Sequence, residues 1–181
     1  PKDEDELQDM MFTATHQNHP TFIRYPRGAA EGVAIKEQPK LIEIGKAEVI
    51  RHFSGNGKRK VALFGLGNLC SMAGKAATQL AAEGYDVAVI NPRFTKPIDP
   101  GTHEFFGRGA DVIVTMEDHV LMGGYGSAVL ELFSDKNIAT PVVRIGWPDQ
   151  FIEHASTQDE LRAKYGLTVE NVIAKVKAQF A

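Results

Sequence analysis

Residues 116–129 read Met-Glu-Asp-His-Val-Leu-Met-Gly-Gly-Tyr-Gly-Ser-Ala-Val. In this stretch an apolar run ends in an acidic pair, a glycine turn follows, and a helical pattern begins at Ser127. Open α/β sheets bind their ligands at the carboxyl ends of parallel strands, beside turns of this kind. The stretch therefore predicts a strand that leads into a helix, with polar side chains at the edge of the sheet where ligands bind.

Glu117, Asp118 and His119 are the strongest candidates for chemistry, because they come directly at the end of the predicted strand. A structural role explains them as well. The carboxylates could accept hydrogen bonds from the amides of the Gly123-Gly124 turn and cap the helix that follows. Without a second acid, base or metal ligand that converges on them, we favour the structural or interface role, and the chemical role of the three residues stays open.

Strands and helices alternate on both sides of this stretch. Four apolar runs predict parallel strands, and Lys46–Phe53 is predicted to form a hairpin with the first of them, because the Asn56-Gly57 step supplies positive φ angles. The predicted parallel strands are Val61–Phe64, Val87–Ile90, Val112–Met116 and Val142–Ile145, and the predicted helices span Ser71–Glu83, follow the Asp99-Pro100 cap, span Ser127–Phe133 and begin near Ser156 and Thr168. The pattern predicts a three-layer α/β fold with a mostly parallel five-stranded sheet and one antiparallel edge strand.

The first 43 residues follow a different pattern. Apolar residues on one face predict a helix at Asp3–His16 that needs a packing partner, and Thr21–Tyr25 has the composition of a short strand. Residues 29–43 have no sustained periodicity, which is typical of a connector. We therefore expect residues 1–28 to belong to one unit, 29–43 to be a linker and 44–181 to form the α/β domain.

Two motifs invite a ligand-binding interpretation and fail on their spacing. Gly65-Leu66-Gly67 lies between a strand and a helix like a dinucleotide loop, but Cys70 stands at the third glycine position and Asn91 where an acidic residue should follow. His103-Glu104 begins like a zinc-protease helix, yet Gly107 takes the place of the second histidine. We therefore expect neither a nucleotide site nor a metal site there.

Three further features of the sequence are better explained by packing or turns than by chemistry. Ser127 does not fit the Gly-x-Ser-x-Gly nucleophile elbow, because Tyr125 and Val129 stand at the two glycine positions. Cys70 stands beside Leu69 and is predicted to pack as a small apolar side chain. Pro148-Asp149 with Phe151 predicts a turn whose aromatic ring packs as an anchor.

Arg27 belongs to the run Arg24-Tyr25-Pro26-Arg27-Gly28, in which Pro26 fixes φ and Gly28 frees the backbone. Its guanidinium could face a cleft and bind an anion through two parallel hydrogen bonds. A surface ion pair explains the same spacing equally well. Arg27 is therefore a candidate binding residue that needs a further argument.

The composition excludes several classes of protein. The chain has 181 residues, a formal net charge of −3 and one cysteine, and its Lys and Arg residues do not cluster into a nucleic-acid footprint. A single cysteine excludes an intramolecular disulfide and a thiolate-cluster zinc site. No apolar run approaches the roughly 18 residues of a membrane span, and no secretory signal is visible. We expect a soluble, cytoplasmic chain with neither nucleic acid nor membrane as a partner.

Several stretches together resemble one enzyme family along essentially the whole chain. They are Pro1-Lys2-Asp3-Glu4, Ile23–Gly28, Ile44-Gly45-Lys46, Arg93–Asp99, Gly123–Val129 and Pro148–His154. The chain resembles the C-terminal domain of transketolase-type thiamine-diphosphate enzymes, and most closely the 1-deoxy-D-xylulose-5-phosphate synthase family. The departures are mild, with Trp147 where the family usually has Leu and Thr95 where it usually has Val. The resemblance implies the transketolase C-terminal fold for residues 44–181, and it implies that residues 1–28 are the tail end of the preceding, pyrimidine-binding domain.

The same resemblance implies an activity for a longer chain. Enzymes of this family join pyruvate to glyceraldehyde 3-phosphate with release of carbon dioxide, and their product feeds isoprenoid, thiamine and pyridoxal biosynthesis. Thiamine diphosphate and Mg²⁺ would be bound by the preceding domains of a homodimer. This portion would then be inactive alone, with no cofactor, metal or catalytic residue of its own. Arg27 matches the arginine that anchors the phosphate of the sugar-phosphate substrate.

Two other interpretations stay open. The chain could be the C-terminal domain of a sister enzyme, either transketolase itself or the β subunit of a 2-oxoacid dehydrogenase. The runs Arg93–Asp99 and Pro148–His154 argue against that possibility. An independent ligand-binding or regulatory module is the second alternative.

Overall fold

One five-stranded sheet organises the computed structural model, which describes residues 1–56, 58–154 and 156–181. The strands are β1 (Glu48–Arg51), β2 (Lys60–Gly65), β3 (Asp86–Asn91), β4 (Val112–Val120) and β5 (Val142–Trp147). The helices of the described residues are α1 (Glu4–Thr15), α2 (Leu69–Ala82), α3 (Pro100–Gly109), α4 (Tyr125–Asp135), α5 (Gln158–Tyr165) and α6 (Val169–Ala178). The strand order across the sheet is β1-β3-β2-β4-β5.

Alternate residues of the central strands supply two separate cores. In β2, Val61 and Leu63 pack on the face covered by α2 and α6, whereas Ala62 and Phe64 pack on the face covered by α3 and α4. Residues 61 to 64 are all fully buried, because both faces of this strand are covered by helices. The result is the three-layer α/β arrangement predicted from the sequence.

The predicted direction of the strands is confirmed. Strands β3, β2, β4 and β5 are parallel to one another. Strand β1 pairs antiparallel with β3 at the edge of the sheet. The Asp99-Pro100 cap is also confirmed, since the Asp99 side chain accepts a hydrogen bond from the Thr102 amide at the start of α3. The predicted fold class is therefore correct.

The predicted hairpin is wrong, because β1 pairs with β3 and not with β2. The chain leaves β1 and passes the first residue of β3 before it enters β2. There the buried Asp86 carboxylate accepts hydrogen bonds from the amides of Ser54 and Gly55 at 2.6 and 2.9 Å and from the Ser54 hydroxyl at 3.0 Å. The Asn56-Gly57 turn cannot be judged as a whole, since Gly57 lies outside the described residues.

Helix α1 is held against the end of β3 by a buried charge. The Glu6 carboxylate accepts hydrogen bonds from Asn91 Nδ2 and Arg93 Nε, both at 2.8 Å, and Glu6 is 3% exposed. The strand predicted at Thr21–Tyr25 does not form, and these residues are largely exposed coil. A strand requires a neighbour to pair with, and the described residues place none beside this segment. The boundaries at residues 28 and 43 stay predictions.

Candidate functional site

The carboxyl edge of the sheet has the geometry at which α/β proteins bind ligands. Since β2 is followed by β3 on one side and β4 lies on the other, the winding reverses between β2 and β4. A crevice forms at such a reversal, outside the carboxyl ends of the two strands. The loop Gly65–Asn68 and residues 117–124 lie at this edge. The acidic residues singled out from the sequence are therefore at the position that the fold makes available for a ligand.

Glu117 fills that position with its own carboxylate. The side chain is 1% exposed, and its two oxygens accept hydrogen bonds from the amides of Tyr125 at 2.7 Å and Gly126 at 2.9 Å. These amides form the first turn of α4, where a helix favours a negative charge. Burial raises the pKa of Glu117, and the two amide hydrogen bonds oppose that rise in part. Glu117 therefore caps α4, which supports the structural interpretation.

Three glycines near Glu117 lie where a Cβ would meet atoms at less than 3.0 Å. A Cβ on Gly124 would overlap the carboxylate and lie 2.5 Å from the Val120 carbonyl oxygen. A Cβ on Gly126 would lie 2.6 Å from Thr115 Oγ1, and one on Gly146 would lie 2.8 Å from the His119 carbonyl oxygen. Within the turn, Gly124 is thus explained by the Glu117 carboxylate beside it, Gly126 by close packing against Thr115 and Arg144, and Gly123 by its φ of +68°.

Asp118 and His119 have different hydrogen-bond partners from Glu117 and from each other. The Asp118 carboxylate accepts hydrogen bonds from Trp147 Nε1 and from an Arg162 guanidinium nitrogen, both at 2.6 Å. Burial opposes its ionisation, but these two donors outweigh burial and lower the pKa of Asp118. His119 Nδ1 lies 2.9 Å from the Val120 carbonyl oxygen. The three residues therefore do not form one catalytic cluster.

A buried His103 beside this edge belongs to the core. Its Nδ1 lies 2.6 Å from the Asp99 carbonyl oxygen, and its Nε2 lies 2.6 Å from the Tyr125 hydroxyl. Because a carbonyl oxygen can only accept, we assign the imidazole proton to Nδ1, and Tyr125 then donates to Nε2. Burial lowers the pKa of His103 to about 4, so the ring is neutral at pH 7. The sequence rejects a zinc site here but does not predict the pair with Tyr125.

The loop after β2 is a packed turn. Cys70 Sγ donates a hydrogen bond to the Gly65 carbonyl oxygen at 2.7 Å, and burial raises the pKa of the Cys70 thiol. A Cβ on Gly65 would lie 2.7 Å from the Leu69 carbonyl oxygen, so this glycine is required by the close approach of α2. The predicted packing role of Cys70 is confirmed.

Arg27 lies on the exposed segment that follows α1. Its side chain makes no hydrogen bond or ion pair with the described part of the chain, so the structure leaves its candidate role untested. Three residues earlier, the Arg24 guanidinium donates to the Asp118 carbonyl oxygen at 2.9 Å. The anchoring role predicted for Phe151 is wrong, because its side chain is completely exposed.

Neither a metal-binding cluster nor a membrane-spanning helix occurs among the described residues. Residues 1–56, 58–154 and 156–181 contain no group of three or more His, Cys, Asp or Glu side chains placed to hold a metal ion. Among the helices of the same residues, none has the length and apolar character needed to cross a membrane.

Comparisons with known proteins agree with the resemblance in the sequence. Three curated relatives are named 1-deoxy-D-xylulose-5-phosphate synthase. The protein from Methylacidiphilum infernorum is 56% identical over 96% of this chain, that from Acidobacterium capsulatum is 49% identical over 97%, and that from Syntrophotalea carbinolica is 44% identical over 98%. The matched stretches are 26%, 27% and 27% of those relatives, so the chain spans about a quarter of their length.

A solved structure shows the same fold. A split-gene transketolase, solved as an inactive "beta4" tetramer (here a name for the assembly and not strand β4), is 35% identical to this chain. The TM-score is 0.69, over 77% of this chain and 43% of that one. The family model for the C-terminal domain of transketolase matches residues 45–172, which include every strand, helices α2 to α5 and the first four residues of α6. The chain therefore belongs to the transketolase C-terminal domain family.

Proposed function

We propose that this chain is the C-terminal portion of a 1-deoxy-D-xylulose-5-phosphate synthase, an enzyme that condenses pyruvate with glyceraldehyde 3-phosphate and releases carbon dioxide. The observation that supports this most is the 44–56% identity to three synthases over nearly the whole chain. The product would enter isoprenoid, thiamine and pyridoxal biosynthesis in the cytoplasm. The described residues would contribute a domain that stabilises the enzyme and its homodimer.

Thiamine diphosphate and Mg²⁺ belong to the full-length enzyme in this proposal, and the residues present here do not fit them. Magnesium in such sites is bound by carboxylates together with phosphate oxygens. At the ligand-binding edge, the Glu117 carboxylate is occupied by two amides and the Asp118 carboxylate by Trp147 and Arg162. The cofactor would therefore be bound by domains that precede this one.

The portion alone would then be inactive. The solved neighbour offers a parallel, since its β4 tetramer is itself described as inactive. The domain's contribution would be to pack against the cofactor-binding domains and the second subunit. Arg27 alone among these residues would bind substrate. It would reach the phosphate of the aldehyde from the exposed segment before the sheet.

Two alternatives remain. A sister enzyme, such as transketolase or the β subunit of a 2-oxoacid dehydrogenase, would have the same fold, but the solved transketolase is only 35% identical over a smaller share of the chain. An independent ligand-binding or regulatory module would need a free site, and Glu117 occupies the position where the fold would provide one. Both alternatives are therefore less well supported.

Steady-state kinetics of the full-length enzyme test the proposal. The wild type should form 1-deoxy-D-xylulose 5-phosphate from pyruvate and glyceraldehyde 3-phosphate. A charge-assisted hydrogen bond contributes about 1.5–3 kcal/mol, so Arg27→Ala should lower kcat/KM for the phosphorylated aldehyde by roughly ten- to a hundredfold. The same variant should lower kcat/KM for unphosphorylated glyceraldehyde far less. A full-length enzyme that transfers a two-carbon unit from a ketose phosphate, and does not use pyruvate, would contradict the proposal.

A further inference from the structure

Arg24 connects the exposed segment before the sheet to the carboxyl edge of the sheet. Its guanidinium donates to the Asp118 carbonyl oxygen at 2.9 Å. Within the described part of the chain, this is the one hydrogen bond that joins residues 18–31 to the sheet. The remaining hydrogen bonds of residues 18–31 are local, such as Thr21 to the His19 carbonyl. The chain is next held at Gly32 and Val33, whose amides donate to the Glu4 carboxylate of α1 at 2.7 and 2.8 Å, so Arg24 is the point between these anchors at which the segment meets the sheet.

The acceptor of this bond is held firmly. Asp118 lies near the end of β4, and its carboxylate is fixed on one side by Trp147 of β5 and on the other by Arg162 of α5. The indole of Trp147 is itself packed against the ring of Tyr165 at a centroid distance of 5.7 Å. The side chain of Asp118 is thus fixed to two neighbouring elements, which restrains the residue whose carbonyl accepts from Arg24.

The link from Arg24 to Arg27 is short and stiff. Three residues span at most about 10 Å when fully extended. Pro26 has a fixed φ, and Tyr25 is restricted to extended backbone because it precedes a proline. A segment of this kind transmits the placement of Arg24 to Arg27 better than a flexible one would.

We propose that Arg24 is a positioning residue for Arg27: its hydrogen bond to the Asp118 carbonyl oxygen fixes the height of Arg27 above the carboxyl edge of the sheet, and thereby the place at which the phosphate of the aldehyde is bound. This inference rests on the proposed function. It assigns to the sheet domain an indirect part in substrate recognition, because Asp118 holds Arg24 and Arg24 places Arg27.

The chemistry of the two arginines predicts different responses to lysine. The partner of Arg24 is a single carbonyl oxygen, which one ammonium group can satisfy. The proposed partner of Arg27 is a phosphate, for which the planar fork of arginine is better suited than an ammonium group. Arg24→Lys should therefore retain most of the function, and Arg27→Lys only a part of it.

The test compares both aldehydes in the full-length enzyme that carries Arg24→Ala, Arg24→Lys or Arg27→Ala. For Arg24→Ala we expect KM for glyceraldehyde 3-phosphate to rise about three- to tenfold with kcat within about twofold, and the values for unphosphorylated glyceraldehyde to change less than about twofold. Arg24→Lys should lie within about twofold of the wild type. Arg108→Ala is the matched control, because Arg108 is also exposed and donates to a backbone carbonyl, that of Lys136, at 2.8 Å.

The results separate the positioning role of Arg24 from the substrate-binding role of Arg27. Equal losses for both aldehydes in Arg24→Ala, or wild-type kinetics with the phosphorylated one, would overturn the positioning role and leave the proposed function intact. If Arg27→Ala fails to distinguish the aldehydes, the substrate-binding role of Arg27 is wrong and the inference falls with it. Thermal unfolding of each variant shows whether a loss reflects folding. Arg24 is exposed, so we expect its variants to unfold within a few degrees of the wild type.

Discussion

Gly124 is the residue whose replacement should disturb the carboxyl edge most. A Cβ at this position would overlap the Glu117 carboxylate and approach the Val120 carbonyl oxygen to 2.5 Å. Gly124→Ala must therefore displace either the carboxylate that caps α4 or the backbone that carries it. We expect the free energy of unfolding to fall by about 3 kcal/mol, as measured by urea denaturation.

Gly74 provides the matched control within the same fold. It lies inside α2, and a Cβ there would meet nothing within 4 Å. Gly74→Ala should stabilise the protein by about 0.5–1 kcal/mol, because glycine is unfavourable in the interior of a helix. If Gly124→Ala were as stable as Gly74→Ala, the tight packing around Glu117 would be wrong.

The sequence predicted the kind of interaction at this edge but not its partners. A carboxylate that caps the following helix was one of two interpretations of Glu117, and the structure supports it. The amides prove to be those of Tyr125 and Gly126, the two residues that follow the glycine pair, because α4 begins two residues before the periodic pattern suggests. The bond between His103 and Tyr125 joins residues 22 positions apart, and no local pattern encodes such a distance.

The loop between β1 and β2 depends on one carboxylate. Asp86 is 1% exposed and accepts hydrogen bonds from Ser54 and Gly55, which hold the loop across the start of β3. Burial opposes ionisation of this carboxyl, but the hydrogen bonds outweigh burial and lower the pKa of Asp86. The bonds therefore stabilise the fold above the ordinary pKa of about 4, and that stabilisation is lost as the pH falls through the lowered value.

We expect Asp86→Asn to reduce the free energy of unfolding by about 1–3 kcal/mol at pH 7, because a carboxamide offers one acceptor oxygen to the donors of the loop. The difference from the wild type should shrink steadily below pH 4, where the Asp86 carboxyl of the unfolded chain takes up a proton before that of the folded chain, whose pKa is lowered. Urea denaturation between pH 3 and 7 measures it. The exposed Asp111 also accepts a backbone N–H, from Lys60 at 2.7 Å, and Asp111→Asn should cost less than about 0.5 kcal/mol. A constant difference across this pH range would show that the charge of Asp86 is irrelevant.

The same loop explains why one element was predicted wrongly. Two β-rich runs separated by an Asn-Gly step favour a hairpin on local grounds. A buried Asp86 at the start of β3, 32 residues from Ser54, instead draws the loop past that strand and leaves β1 at the edge. The cap of α3 was predicted correctly, because Asp99, Pro100 and Thr102 are neighbours in sequence and their interaction is local. Contacts between distant residues decided the one strand pairing that local pattern missed.

Across the full chain, the architecture follows from the alternation of strands and helices in the sequence, whereas the proposed function depends on similarity to known enzymes. Alternating strands and helices predicted a three-layer sheet, and the structure and the family model agree with that prediction. The carboxylates at the ligand-binding edge are taken up by the protein's own amides, indole and guanidinium groups. An activity therefore cannot be derived from these residues alone, and the relatives' names support one only for a chain about four times as long.

Isothermal titration calorimetry of the 181-residue chain with thiamine diphosphate and Mg²⁺ tests whether the cofactor is bound outside this domain. We expect no saturable heat up to millimolar cofactor, because a bound diphosphate requires a metal whose remaining ligands are free oxygen atoms. Here the Glu117 and Asp118 oxygens accept hydrogen bonds at 2.6 to 2.9 Å, and a metal would have to break those bonds before it could bind. The full-length enzyme should give a saturable isotherm under the same conditions, which serves as the positive control. Saturable micromolar binding to the 181-residue chain would show that this domain contains a cofactor site, and the proposal that the cofactor is bound by preceding domains would then be wrong.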